Sequence, residues 1–297
     1  MKLLDALSRC CYHRFAKTQA QGRKMNFVEK LLSTSRGSKS LLCVGLDPDP
    51  KLMPPKLSVF EFNREIIDAT SDLVCAYKPN LAFYEALGID GLKALEKTLT
   101  HIPKGIPVIG DAKRGDIASS SEAYARALFE TLGFDAATIN PYLGRDSVAP
   151  FIAYADKGVF LLCKTSNPGS ADFQESLCSD ASNANVRPLF ELVALKANEW
   201  NTHGNIGLVI GATFPEQLKR VRELCPELPL LIPGVGAQGG DLASVVRYGV
   251  DASKEKAIIN CSRQILYASK GKDFAEAARR EALKLRDKIN EQLATLR

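Results

Sequence analysis

The chain has 297 residues, 45% hydrophobic and 25% charged, a profile that allows one large globular domain or two small ones. Its 21 Gly and 15 Pro are too few for a fibrous or low-complexity protein, and no apolar run approaches the roughly 18 residues needed to span a bilayer. Basic residues outnumber acidic ones by 39 to 34 without forming a dense stripe, so neither nucleic acid nor a membrane is an expected partner.

Residues 1–25 differ in character from the rest of the chain. They hold six basic residues (Lys2, Arg9, Arg14, Lys17, Arg23, Lys24) against one acid, Asp5, and so account for the whole charge excess of five. One reading is an organellar presequence, with Met25 as an alternative start. The other, which is favoured, is a solvated basic N-terminal extension on a cytoplasmic protein. The remainder, 26–297, reads as one domain.

The eight cysteines (Cys10, Cys11, Cys43, Cys75, Cys163, Cys178, Cys225, Cys261) include no CxxC pair. Four of them, Cys43, Cys75, Cys163 and Cys261, sit in or beside apolar strand-like runs, where a free thiol packs as a small hydrophobe. With only three scattered histidines (His13, His101, His203), neither a zinc site nor a disulfide framework is expected.

From residue 41 onward, short runs rich in Val, Ile and Leu alternate with stretches of helical character. The runs are 41–47, 73–80, 106–113, 136–140, 158–166, 206–213, 228–236 and 257–263. Continuous rather than alternating apolar runs are the mark of parallel strands buried on both faces. Helical spacing shows between them: Ser147, Ala149, Pro150 and Ala153 open one stretch, and Leu189, Val193, Ala197 and Trp200 give another an apolar face. Eight such repeats without a composition break predict an α/β protein, a single (β/α)8 TIM barrel. A doubly wound open sheet is the alternative, but its GxGxxG opening turn is missing. Residues 167–188 are small and polar with no steady period; after the end of the fifth strand they read as a lid on the catalytic face, or else as a solvated insertion.

Polar side chains gather where the strands end: Asp47; Lys78 and Asn80; Asp111, Lys113 and then Asp116; Lys164, Thr165 and Ser166; Gly234, Gly236 and Gln238; Ser262 and Arg263. A barrel brings these ends to one mouth. In DAKRGD (111–116), strand alternation points Asp111 and Lys113 the same way, with Lys78 beside them on the neighbouring strand. That line of cation, anion and cation, with Asp116 as a second anion, keeps Lys113 charged, a proton donor rather than a nucleophilic amine. A buried ion-pair network that merely orders the barrel mouth fits the same residues equally well. The closely spaced glycines of PGVGAQGGD (233–241), with Arg263 on the last strand, form an anion site where barrels commonly hold phosphate.

On these segments the chain resembles orotidine 5′-phosphate decarboxylases, and among them the longer bacterial-type branch. The resemblance is carried by DxKxxD as Asp111, Lys113 and Asp116, and by LLCVGLDPDP, AYKPNLAFYE, TINPYLGRDS, CKTSNPGS, IPGVGAQGGD and INCSRQI, in strand order from about residue 26 to 290. It implies orotidine 5′-monophosphate (OMP) as substrate and UMP with CO2 as products, in the last step of pyrimidine nucleotide synthesis, with no metal or organic cofactor. In the catalytic set Lys113, Asp111, Lys78 and Asp116, the Lys113 ammonium would protonate C6 of the pyrimidine. Asp111 would position Lys113 and Lys78 beside the departing carboxylate. Asp116 would reach across a homodimer interface into the partner's site. Asp47 and Lys78 would contact the ribose, Ser166 the pyrimidine edge, and Gln238 both base and phosphate. Arg263 would clamp the phosphate with help from backbone N–H near Gly236. Ser120 belongs with the same substrate-binding set.

Two features fall outside the family pattern: the basic extension, and Cys261 where a smaller residue is expected. No phosphoribosyl-binding motif accompanies the barrel, so the decarboxylase alone is expected. Two rival readings remain. One is a metal-dependent decarboxylase or aldolase of the same superfamily acting on a sugar phosphate; the other is a nucleotide-binding barrel without activity.

Overall fold

The computed structural model describes residues 25–180, 183–236 and 240–296. The basic segment up to residue 24 lies outside them, and so does Gln238. Each of the eight apolar runs forms a strand. In chain order the strands are β1 (Leu42–Leu46), β2 (Ala76–Pro79), β3 (Ile109–Arg114), β4 (Ala136–Ile139), β5 (Gly158–Lys164), β6 (Leu177–Asp180), β7 (Asn183–Pro188), β8 (Ile206–Ile210), β9 (Leu230–Pro233) and β10 (Ala257–Cys261). All but β6 and β7 make one parallel sheet in the order β2-β1-β10-β9-β8-β5-β4-β3. Parallel bridges from Tyr77 to Val108 and from Asn80 to Asp111 join its two edges and close the barrel.

The strands bury both faces, which is why their runs are continuous. Outward-facing Val44, Tyr77, Leu161, Leu208 and Ile259 pack against the surrounding helices. Inward-facing Cys43, Ala76, Ile109, Ala136, Phe160, Val209, Leu231 and Ile258 fill the barrel. Both helical stretches read from the sequence form, as Arg145–Ile152 and Leu189–Trp200. The buried face of the second is centred on Phe190, Ala194 and Ala197, half a turn from the expected stripe at its start.

One end of the barrel is plugged. The helix Phe27–Ser38 begins with a capping box in which Asn26 and Glu29 satisfy each other's backbone N–H groups. It drives Phe27 and Leu31 into the barrel interior. Phe27 meets Phe160 edge to face, with ring centroids 5.6 Å apart. The contact needs a glycine opposite: a Cβ on Gly158 would lie 2.4 Å from the Phe27 ring. A Lys30–Asp135 ion pair of 2.8 Å holds the helix across the strand starts. With that end filled, the C-terminal strand ends form the open mouth.

The segment 167–188 departs from expectation. It carries a 3-10 turn (Pro168–Ser170), a short helix (Ala171–Gln174) and the antiparallel hairpin β6–β7. The hairpin was hidden because its apolar residues do not pack on the barrel: Leu177 and Val186 stay 71% and 64% exposed. Without a buried face, no periodicity is imposed on the sequence.

Candidate active site

The open mouth holds a cavity of about 680 Å³ lined from the ends of all eight barrel strands. Its centre is Asp111 on β3. One carboxylate oxygen accepts from Lys78 Nζ at 2.8 Å, the other from Lys113 Nζ at 2.5 Å. The hydroxyl of Thr138 on β4 donates to that second oxygen at 2.9 Å and accepts from the backbone N–H of Lys113 at 3.0 Å. Burial opposes the charge of Asp111, but the two ammonium groups outweigh it and hold the carboxyl well below the usual carboxylate range. Burial likewise opposes the charge of Lys78, while Asp111 and Asp47 keep its ammonium above the ordinary lysine value. The group works as one ionised unit across a broad pH range.

Local geometry explains how two residues of one strand reach the same spot. The ladder between β3 and β4 shifts register between Gly110 and Arg114. Lys113 adopts φ +48, a left-handed conformation that a side chain of its size rarely takes. Simple alternation is therefore not what aims Lys113 at Asp111; a bulge with local backbone strain does so, as is common at functional sites. Lys113 remains half exposed, toward the cavity.

Asp47 closes the β1 side. Its backbone carbonyl accepts from the hydroxyl of Tyr267 at 2.8 Å, and that hydroxyl accepts from the N–H of Asp49 at 2.7 Å. Tyr84 donates to the carbonyl of Leu46 next to it at 3.0 Å. The Asp47 side chain is free of these bonds, and its Oδ1 is buried without a partner. The opposite wall, from Leu162, Val209, Leu231 and Pro233, is apolar. Thr165, Ser166 and Asn167 line the cavity after β5, and Arg263 lines it after β10, exposed and without a hydrogen bond among the described residues.

Several expectations change here. Lys164 does not line the cavity. It is fully buried beneath the segment after β5, paired with Glu175 at 2.9 Å and Ser170 at 2.7 Å, over the Phe214 ring at 4.1 Å. It thereby seats the loop that carries Ser166. Asp116 does not flank Lys113 as a second anion within one chain; its carboxylate accepts from the N–H of Ile117, and it is absent from the lining. Ser120, exposed on the helix Ala118–Arg126, is likewise outside the cavity. Gly236, with φ +98, faces a neighbouring cavity of about 230 Å³ with Gln264, Lys284 and Lys288. Thr138, Tyr267 and Asn260 were not singled out from the sequence. A polar residue on the inward alternation of an otherwise apolar strand is the signal that marks Thr138 and Asn260.

Asp111→Asn strands Lys78 in the barrel without its counter-charge and should lower stability by about 3 kcal/mol at neutral pH. Since the folded carboxyl titrates below its unfolded range, the wild-type advantage is full above that range and shrinks as pH falls through the lower folded value. Urea denaturation of both proteins, from neutral pH into acid, measures this; equal stability at neutral pH contradicts it.

Comparison with known proteins gives this geometry a relationship. Residues 40–280 match the family model described as orotidine 5′-phosphate decarboxylase / HUMPS family. The orotidine 5′-phosphate decarboxylase of Dehalococcoides mccartyi is 54% identical over 266 residues, covering 90% of this chain and 98% of its own. The solved OMP decarboxylase of Leishmania donovani superposes with a TM-score of 0.80 at 40% identity, covering 91% of this chain and 100% of that one. The UMP synthase of the same organism superposes at 0.82 and 42% identity over 92% of this chain, which spans only 57% of that longer protein. No helix of the described residues is long and apolar enough to cross a membrane. The chain belongs to the orotidine 5′-phosphate decarboxylase family.

Proposed function

We infer that the chain converts OMP to UMP and CO2 in pyrimidine nucleotide synthesis. The observation that carries this reading is the buried carboxylate of Asp111 held between two ammonium groups at a barrel mouth, with an apolar wall facing them. Loss of CO2 breaks the bond from C6 to the carboxyl carbon and leaves the electron pair on C6. Lys113 Nζ–H then delivers its proton there, and the lysine regains one from water. Asp111 fixes the direction of that ammonium and of Lys78, so the charge that stabilises the carbanion is in place before it forms. The proton and the stabilising charge both come from side chains, and the reading invokes no cofactor.

The remaining roles are distributed around the cavity. Asp47 and Lys78 serve the ribose, Ser166 the pyrimidine edge and Arg263 the phosphate, with the segment of Gly236 and Gln238 beside it. Binding energy from the phosphate then organises the reacting end. Asp116 and Ser120 serve a second copy of the chain. They sit off their own cavity, amid exposed apolar side chains at Phe83, Ile117, Tyr124, Tyr142 and Leu143, a patch of the kind that marks a protein interface. A cytoplasmic location suits the six free thiols among the described residues.

Lys113→Ala should lose decarboxylation by about 10³-fold or more, while UMP still binds as a competitive inhibitor of wild-type affinity within a few-fold. Wild-type turnover, followed by the absorbance change of OMP, should survive prolonged treatment with EDTA. Near-normal turnover by the variant removes Lys113 as the proton donor, and abolition by EDTA favours the metal-dependent rival.

For the shared site, mixing inactive Asp116→Ala and Lys113→Ala chains should restore activity through hybrid dimers that contain one intact site. Heterodimers that form and stay inactive overturn the assignment of Asp116 to the partner's cavity.

A further inference from the structure

The cavity contains a second acceptor besides Asp47 that is buried and unused. Asn260, inside β10, is only 6% exposed and lines the floor. Its Oδ1 is shut off from the surface and accepts no hydrogen bond. Two other buried asparagines differ in how they are used. Asn63 donates its amide to Tyr84 and Thr98, and Asn205 donates to three backbone carbonyls. Asn260 makes no side-chain hydrogen bond among the described residues. A buried amide left unpaired costs free energy, and a native barrel retains one where something else completes it.

Its place in the sheet narrows down what completes it. Asn260 is paired with Cys43 of β1 on one side and Pro233 of β9 on the other. Gly45, two residues on along β1, leaves the space in front of it clear: a Cβ there would lie 3.3 Å from Asn260 Oδ1. Asp47 stands two residues further along β1, and Arg263 three residues further along β10. The amide therefore lies under the stretch of cavity between the ribose end and the phosphate end.

We propose that Asn260 is a ribose-binding residue that, together with Asp47, reads the vicinal diol of the nucleotide. This rests on the nucleotide reading of the site. A buried acceptor needs a donor, and a pyrimidine ribonucleotide dianion offers three: the 2′-hydroxyl, the 3′-hydroxyl and the ring N3–H. The ring edge falls to the loop after β5, which carries Ser166. Two adjacent hydroxyls remain for two adjacent orphan acceptors, Asp47 Oδ1 and Asn260 Oδ1. An amide suits the second position, because a carboxylate there would add an anion beside Asp47 and compete for Lys78.

The test compares Asn260→Ala with the wild type as inhibited by UMP, 2′-deoxy-UMP and 3′-deoxy-UMP, with thermal melting of both proteins free of ligand. The UMP inhibition constant should rise about tenfold in the variant. One of the two deoxy analogues, the one lacking the hydroxyl that Asn260 holds, should be bound equally by both proteins within about twofold. The melting temperature without ligand should stay unchanged or rise, since an unmade bond is all that is removed. An unchanged UMP constant, an equal loss against UMP and both analogues, or a variant destabilised without ligand assigns the amide to the barrel wall and overturns the proposal. A wild type that UMP does not inhibit fails the nucleotide reading itself, separately from Asn260.

Discussion

The site depends on one buried carboxylate. Asp111 sits inside the barrel where an isolated charge would be prohibitive, and it stays ionised because Lys78, Lys113 and Thr138 reach it from three directions. Each of those partners depends on Asp111 in turn. Lys78 is itself buried and is held charged by it, and Lys113 is directed by it from a strained backbone position. Such a cluster is a poor source of net stability compared with apolar packing. Its value lies in fixing two ammonium groups in place before substrate arrives, where water would otherwise have to reorganise during the reaction.

The rest of the barrel makes that arrangement possible. Phe27 fills the far end and leaves a single mouth. Glycine clears space where side chains converge. Gly45 stands opposite Ser262 and Asn260, and Gly211 lies against Ser166, where a Cβ would fall 2.7 Å from the Ser166 backbone. Lys164 ties the loop bearing Ser166 down to the barrel through Glu175 and Ser170. The two orphan acceptors, Asp47 and Asn260, are the complementary feature: polar groups kept unsatisfied within a wall whose other asparagines are engaged.

The fold was legible because a parallel barrel imposes a strong constraint: strands buried on both faces must be continuously apolar, and all eight runs became barrel strands. The central residues were legible for a related reason, since charged side chains at the ends of such runs have only the mouth to occupy. Lys78, Asp111, Lys113, Asp47 and Arg263 all line it. What failed to show had no such constraint. Thr138 and Asn260 lie within runs whose apolar neighbours drew attention away from them. The β6–β7 hairpin has no buried face. Asp116 and Ser120 belong to a strand-end motif by sequence but point away from their own cavity, because a one-dimensional pattern does not distinguish a chain's own site from a surface offered to another copy. Lys164 fitted the strand-end pattern and yet turned beneath the loop, drawn by Glu175 and the Phe214 ring.

The central claim is that Asp111 couples Lys78 and Lys113 into one catalytic unit. A double-mutant cycle on OMP turnover tests it most directly, using Lys78→Ala, Lys113→Ala and the two together. Coupling predicts that removing Lys78 from the Lys113→Ala protein costs far less than removing it from the wild type, as for residues that act together. Losses that multiply, as they do for independent residues, would contradict it.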